Sequence, residues 1–161
     1  MRHATFDPSC GICRLGAGDE PVQGGVVFED ALWLIRHAPA PFGVPGWMTL
    51  QSQRHAPGFA HFNDDEAREF GVAIRHFERL LEEVTGCLRI YTVSMNESFP
   101  HFHAHLVPRY ATMPLEARGY AVYALQQAAG RGEITVDPAE VGRLTAAYRD
   151  ALAANPPPKC C

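Results

Sequence analysis

The chain has 161 residues, 47% of them hydrophobic, and a formal net charge of -4. That length suits one domain with a single well-formed core, and the composition excludes a disordered chain. The negative balance argues against a surface that grips nucleic acid without sequence preference.

The N-terminus carries no apolar run of the secretory kind, and no stretch reaches the length of a membrane span. A cytoplasmic protein with no membrane partner is therefore expected. The five cysteines are an odd number. In a reducing compartment Cys10-Gly11-Ile12-Cys13 reads as a metal clip or a redox pair rather than a structural bridge.

In chain order, the N-terminal segment 1–25 carries the CxxC and ends at the Gly24-Gly25 turn signal. Val26 to Phe28 and Leu32 to Arg36 predict a hairpin around Glu29-Asp30. A loop broken by Pro39, Pro41 and Pro45 leads to a third strand, Trp47 to Gln51. Asn63 or Asp64 caps the clearest helix, with Glu66 in the capping-box position. Phe70, Ile74, Phe77, Leu81 and Val84 form its apolar face, and Gly86 stops it. Leu88 to Ser94 predicts a strand, and a short connection reaches the histidine strand His101 to Val107, which Pro108 is expected to end. Tyr120 to Leu125 fits a strand or a helix start. Asp137-Pro138-Ala139-Glu140 opens a last helix with Val141, Leu144, Tyr148 and Leu152 as its buried stripe. Residues 155–161 read as a disordered tail. Strands bracketing one long helix favour a single antiparallel α+β domain over residues 1–161.

His101, His103 and His105 alternate with Phe102, Ala104 and Leu106. Alternate residues of a strand share a face, so the three imidazoles line up about 7 Å apart while their partners face the core. Near pH 7 an imidazole serves as nucleophile, donor or metal ligand. The central one can attack phosphorus while its neighbours hold the non-bridging oxygens. An exposed polar strand face, or a metal hydrolase using the HxH spacing with Glu97, are the other readings of the same residues.

The run His101-Phe102-His103-Ala104-His105-Leu106-Val107-Pro108-Arg109 resembles the signature of the histidine-triad (HIT) superfamily, with the elements around it in the family's order. The resemblance is to a bacterial-type branch related to dinucleoside polyphosphate hydrolases. It implies a HIT-like fold, an antiparallel sheet of about five strands with two main helices, and a homodimer. The implied activity is nucleotide hydrolysis or nucleotidyl transfer through a covalent nucleotidyl-histidine, with no cofactor in the chemical step. Candidate substrates are a dinucleoside polyphosphate or a nucleoside phosphoramidate.

In this resemblance His103 is the nucleophile, and His105 and Ser98 bind phosphate. His101 and Arg109 are further phosphate-binding candidates; Arg109 equally suits an ordinary ion pair. The resemblance also implies a structural zinc held by Cys10, Cys13, His55 and His101. Three positions depart from the family pattern. Asn96-Glu97-Ser98 replaces Gly-Gln-Ser, Arg36-His37-Ala38-Pro39 lacks the acid that holds ribose hydroxyls, and Trp47 stands where a histidine orients the nucleophile. These departures leave a second reading, a catalytically silent nucleotide-binding or regulatory protein. His3, His37, His61 and His76 read as surface or loop residues. Trp47, Phe42 and Phe99 suit core packing or a base pocket, and Lys159-Cys160-Cys161 reads as a frayed tail.

Overall fold

The computed structural model describes residues 3–159. Strand β1 (Val26–Glu29) and strand β2 (Trp33–His37) form the expected hairpin. Asp30 makes its turn, Oδ1 accepting from the N–H groups of Leu32 and Trp33. Strand β3 (Met48–Ser52) pairs with β2 over its whole length. Strand β4 (Arg89–Val93) and strand β5 (His103–Arg109) complete one antiparallel sheet in the order β1-β2-β3-β5-β4. The sheet and its flanking helices make a HIT-like α+β architecture.

Register assigns the two faces. Ile35 lies opposite Leu50, and Leu50 opposite Ala104, all buried. Their face packs on helix α2 (Asp64–Thr85) and helix α4 (Pro138–Ala154), through Phe77 and Leu81 of the first and Tyr148 and Leu152 of the second. Burying such side chains contributes roughly 1.5–3 kcal/mol each, which fixes the strand register from behind. The buried Tyr148 hydroxyl donates to the Phe77 carbonyl at 2.8 Å, so the helix pair has a polar tie as well.

The capped start of α2 is as the residues predict. Asn63 accepts from the Glu66 N–H and Glu66 from the Asn63 N–H, both at 2.9 Å. Glu66 is buried, and Arg54 offsets its charge at 2.5 Å.

Two points the sequence left open are decided, the CxxC segment and Tyr120 to Leu125, and the limits of β5 change. The CxxC segment is helical: α1 (Gly11–Ala17) starts at Cys10 and ends at Gly18 in the left-handed region. At seven residues it is too short to show helical periodicity. Tyr120 to Leu125 is a 3-10 turn leading into α3 (Tyr123–Gly130), so two further helices join the two main ones. Strand β5 starts at His103 rather than His101 and runs through Pro108 to Arg109. Pro108 lies beyond the β3 ladder, which ends at Leu106, and pairs only with Ile90; with one neighbouring strand a missing donor is tolerated, as at an edge. The tail is placed as far as Lys159: the Asn155 carbonyl accepts from His76, Pro157 is buried, and Lys159 pairs with Asp30. Cys160 and Cys161 lie outside the described residues.

Candidate functional site

The face of the sheet opposite α2 and α4 carries the polar residues. Thr49 lies opposite His105 and Gln51 opposite His103, while on the next strand Arg36 lies opposite Thr49. Directly paired residues point to the same face, so β2, β3 and β5 present Arg36, Thr49, Gln51, His103 and His105 together.

His103 and His105 are half-buried, with ring centroids 5.5 Å apart and near-perpendicular planes. His103 Nδ1 is 2.8 Å from the His101 carbonyl oxygen. An acceptor there makes Nδ1 the protonated nitrogen and leaves the lone pair on Nε2. Its N–H donates to Asn96 Oδ1 at 3.0 Å. Asn96 has a φ of 53°, in the left-handed region that asparagine tolerates, and its amide also donates to Ser94. Asn96 thus sets the start of β5, a role the sequence pattern does not announce.

His105 has the opposite arrangement. The Trp47 indole N–H donates to His105 Nδ1 at 3.0 Å, and an indole can only donate. His105 Nδ1 is therefore the acceptor, and its proton is on Nε2. Tyr123 packs edge-on against both rings. Burial pushes His105 down to about 4, with His103 and Arg36 adding repulsion of a second charge. His103 is lowered as well, first by burial, and both rings are neutral at pH 7. The pair consists of one imidazole with a free lone pair and one with a free donor.

His101 does not complete a row of three. It precedes β5, is buried, and donates from Nε2 to the Ser52 carbonyl at 2.8 Å. Its Nδ1 lone pair then faces the Cys13 sulfur at 3.3 Å and the Cys10 sulfur at 3.7 Å, leaving no ring nitrogen for phosphate. His55 Nδ1 lies 3.3 Å from Cys13. The four donor atoms of Cys10, Cys13, His55 and His101 all lie within 4.8 Å of one another. Tetrahedral zinc with Zn–S of about 2.3 Å and Zn–N of about 2.0 Å spaces its ligand atoms by roughly 3.3–3.8 Å, so the donor set is compatible with zinc. The Ser52 carbonyl supplies the outer hydrogen bond that orients such a histidine. Burial pushes the Cys13 thiol up to about 11, so a metal must displace a proton there.

The remaining candidates fall elsewhere. Ser98 and Glu97 are exposed in the bend before β5. Arg109 is buried and donates to the carbonyls of Tyr110, Met113 and Pro114. It is six residues along β5 from His103, roughly 20 Å, and is a strand-end clamp rather than a phosphate ligand. His37 and His76 are buried and hydrogen-bonded, not surface residues. His37 donates from Nδ1 to the Ala38 carbonyl and accepts the Gly46 N–H on Nε2, which ties the β2–β3 loop. Gly46 has a φ of 79° and a Cβ there would meet Thr85 and Tyr110 at 3.2 Å, so this turn requires glycine. His3 hydrogen-bonds to Thr5, and His61 is exposed. Phe42 stacks edge-on with His37, and half-exposed Phe99 covers Gly11.

Solved structures of the same architecture are histidine-triad proteins. A Hit-like protein involved in cell-cycle regulation from Bartonella henselae has a TM-score of 0.66 at 15% identity, over 92% of this chain and 99% of that one. A zinc-bound histidine triad family protein from Mycobacterium smegmatis has a TM-score of 0.65 at 18% identity, over 91% and 96%. The chain has the fold of the histidine-triad superfamily. A hypothetical histidine triad nucleotide-binding protein from Sulfolobus tokodaii shares this histidine-triad fold at a TM-score of 0.66 and 12% identity, over 90% and 93%. No protein-family model and no curated protein matches the sequence. Among the described residues no helix of this histidine-triad fold is long and apolar enough to cross a membrane.

Proposed function

We propose that the protein is a cytoplasmic histidine-triad phosphohydrolase or nucleotidyl transferase that releases a nucleoside monophosphate from a dinucleoside polyphosphate or a nucleoside phosphoramidate. The observation that carries this reading is the complementary pair of ring nitrogens, a lone pair on His103 Nε2 beside a donor on His105 Nε2. His103 Nε2 attacks the α-phosphorus, forming a P–N bond as the bond to the leaving group breaks. His105 donates to a non-bridging oxygen as its charge grows. Water then attacks the same phosphorus, the P–N bond breaks, and the electron pair returns to His103. The leaving group and the water exchange their protons with solvent.

Ser98, exposed in the 97–99 bend that precedes β5, would add a hydroxyl to the phosphate. Glu97 in the same bend keeps the binding-protein reading as the second one. We also propose a structural zinc at Cys10, Cys13, His55 and His101. It would staple α1 to the start of β5 and take no part in the chemistry.

The test is chromatography of diadenosine tetraphosphate and adenosine phosphoramidate after incubation with the wild type and with His103→Ala. AMP from the wild type, reduced by about 10³-fold or more in the variant, is the expected result. Tight nucleotide binding with no AMP from the wild type would establish the binding-protein reading instead.

A further inference from the structure

Among the described residues, six buried side-chain polar atoms have no hydrogen-bond partner. Five of them belong to Arg36 (Nε and Nη1), Thr49 (Oγ1), Gln51 (Oε1) and Tyr123 (Oη). Folded proteins rarely leave such atoms unpaired, and five around one histidine pair is a concentration, not a scatter. Arg36, Thr49 and His105 are consecutive cross-strand partners, Gln51 is the partner of His103, and Tyr123 packs on His105.

Arg36 is the strongest member. It is 2% exposed, and among the described residues no carboxylate lies within ion-pair distance of it. Glu20 is the acidic group that most affects its charge, but Glu20 is itself paired with Arg14 at 3.3 Å. Burying an unpaired guanidinium is unfavourable, and Leu or Met would fill the position without that penalty. On the same face His103 and His105 are half-buried rather than fully covered.

We propose that Arg36 and Thr49 form an oxyanion subsite beside the histidine pair, with Gln51 accepting a hydroxyl of the same ligand. The donors of Arg36 and Thr49 match a phosphate ester or carboxylate, and the Gln51 carbonyl matches a neighbouring sugar hydroxyl. The substrate class is then a nucleotide with a second anionic group on its sugar, in addition to the phosphoryl that His103 and His105 address. The subsite rests on that phosphoryl-binding reading for its biological sense, and the experiment separates the two.

Binding of inorganic phosphate, AMP and adenosine 3′,5′-bisphosphate is measured by calorimetry and thermal shift on the full chain, for wild type, Arg36→Met and Arg36→Lys. The wild type is expected to bind the bisphosphate about tenfold or more tightly than AMP, as one charged bidentate contact allows. Arg36→Met is expected to lose that advantage and to melt at or above the wild-type temperature without ligand. Arg36→Lys keeps the charge without the fork and is expected to fall between them.

A bisphosphate preference that survives in Arg36→Met overturns the subsite. So does an Arg36→Met melting temperature well below wild type, which assigns the arginine a structural role. Phosphate that stabilises wild type but not Arg36→Met, with neither nucleotide binding, upholds the subsite and overturns the nucleotide reading. A wild type that responds to none of the three overturns the subsite.

Discussion

At the scale of single residues, the histidine pair is defined by which nitrogen of each ring is tied. The backbone does this for His103 and Trp47 does it for His105. Trp47→Phe keeps the ring and removes the donor, so His105 is free to populate both tautomers. The expected result is a fall in kcat of about tenfold or more with KM little changed, and a changed His105 ring-nitrogen pattern in ¹⁵N NMR. An unchanged nitrogen spectrum would show that Trp47 only packs.

Protonation provides a second test at this scale. His105 is held near 4 against an ordinary 6.5, so between these values the unfolded chain binds a proton that the folded chain refuses. Its contribution is fully present above about pH 6.5 and is lost as pH falls towards 4. The loss is on the order of 3 kcal/mol. Urea unfolding across that range should show it, and His105→Asn should flatten the acid limb.

At the scale of elements, α1 and the start of β5 depend on each other. Helix α1 is only seven residues long and has no side-chain cap at its start, so its own hydrogen bonds do not hold it. Cys10, Ile12 and Cys13 bury a small separate cluster, and the Gln51 amide donates to the Ile12 carbonyl at 3.3 Å. Zinc at the two cysteines and two histidines would supply the missing cohesion. Chelation is expected to lower the melting temperature by several degrees, reversibly on adding zinc, and Cys13→Ser should mimic it. With zinc bound through thiolates the stabilisation should weaken below neutral pH, as protons compete for the sulfurs. An unchanged melting curve after metal analysis has confirmed removal would mean that the cluster is a pair of thiols beside two imidazoles.

The same scale explains what could be read in advance. Strong local signals were legible: the Asn63 and Asp137 caps, the Gly86 stop, and the hairpin around Asp30. The limits of β5 were not. Its start depends on Asn96 catching the His103 N–H, and its end on where β3 stops, and neither is a property of the residues between His101 and Pro108.

At the scale of the whole molecule, the sheet has an exposed edge. β4 is an outer strand with β5 on one side only, and Leu88, Met95 and Tyr120 around it are 63%, 60% and 79% exposed. An unpaired strand edge flanked by apolar side chains is a template for pairing. A homodimer through β4 is therefore our expectation, joining two sheets across their edges. Light scattering should give twice the chain mass, and Thr92→Pro, which places a proline on the pairing edge, should give the single mass. A wild type of single mass would remove the dimer from this picture.

The alternation of histidine with apolar residues told, by itself, that a strand with a chemical face exists, because period-two patterning follows from strand geometry alone. The CxxC spacing gave two of a possible four ligands for the same local reason. Only the tertiary structure decided that His101 turns from the phosphate row to the cysteines, that Arg109 clamps a strand end, and that Trp47 orients His105. It alone brought Arg36 across two strands to the histidine face. Each of these depends on partners far away in the chain, Cys13 for His101, His105 for Trp47, and Thr49 with His105 for Arg36, and cross-strand register, which no local pattern encodes, is what brings them together.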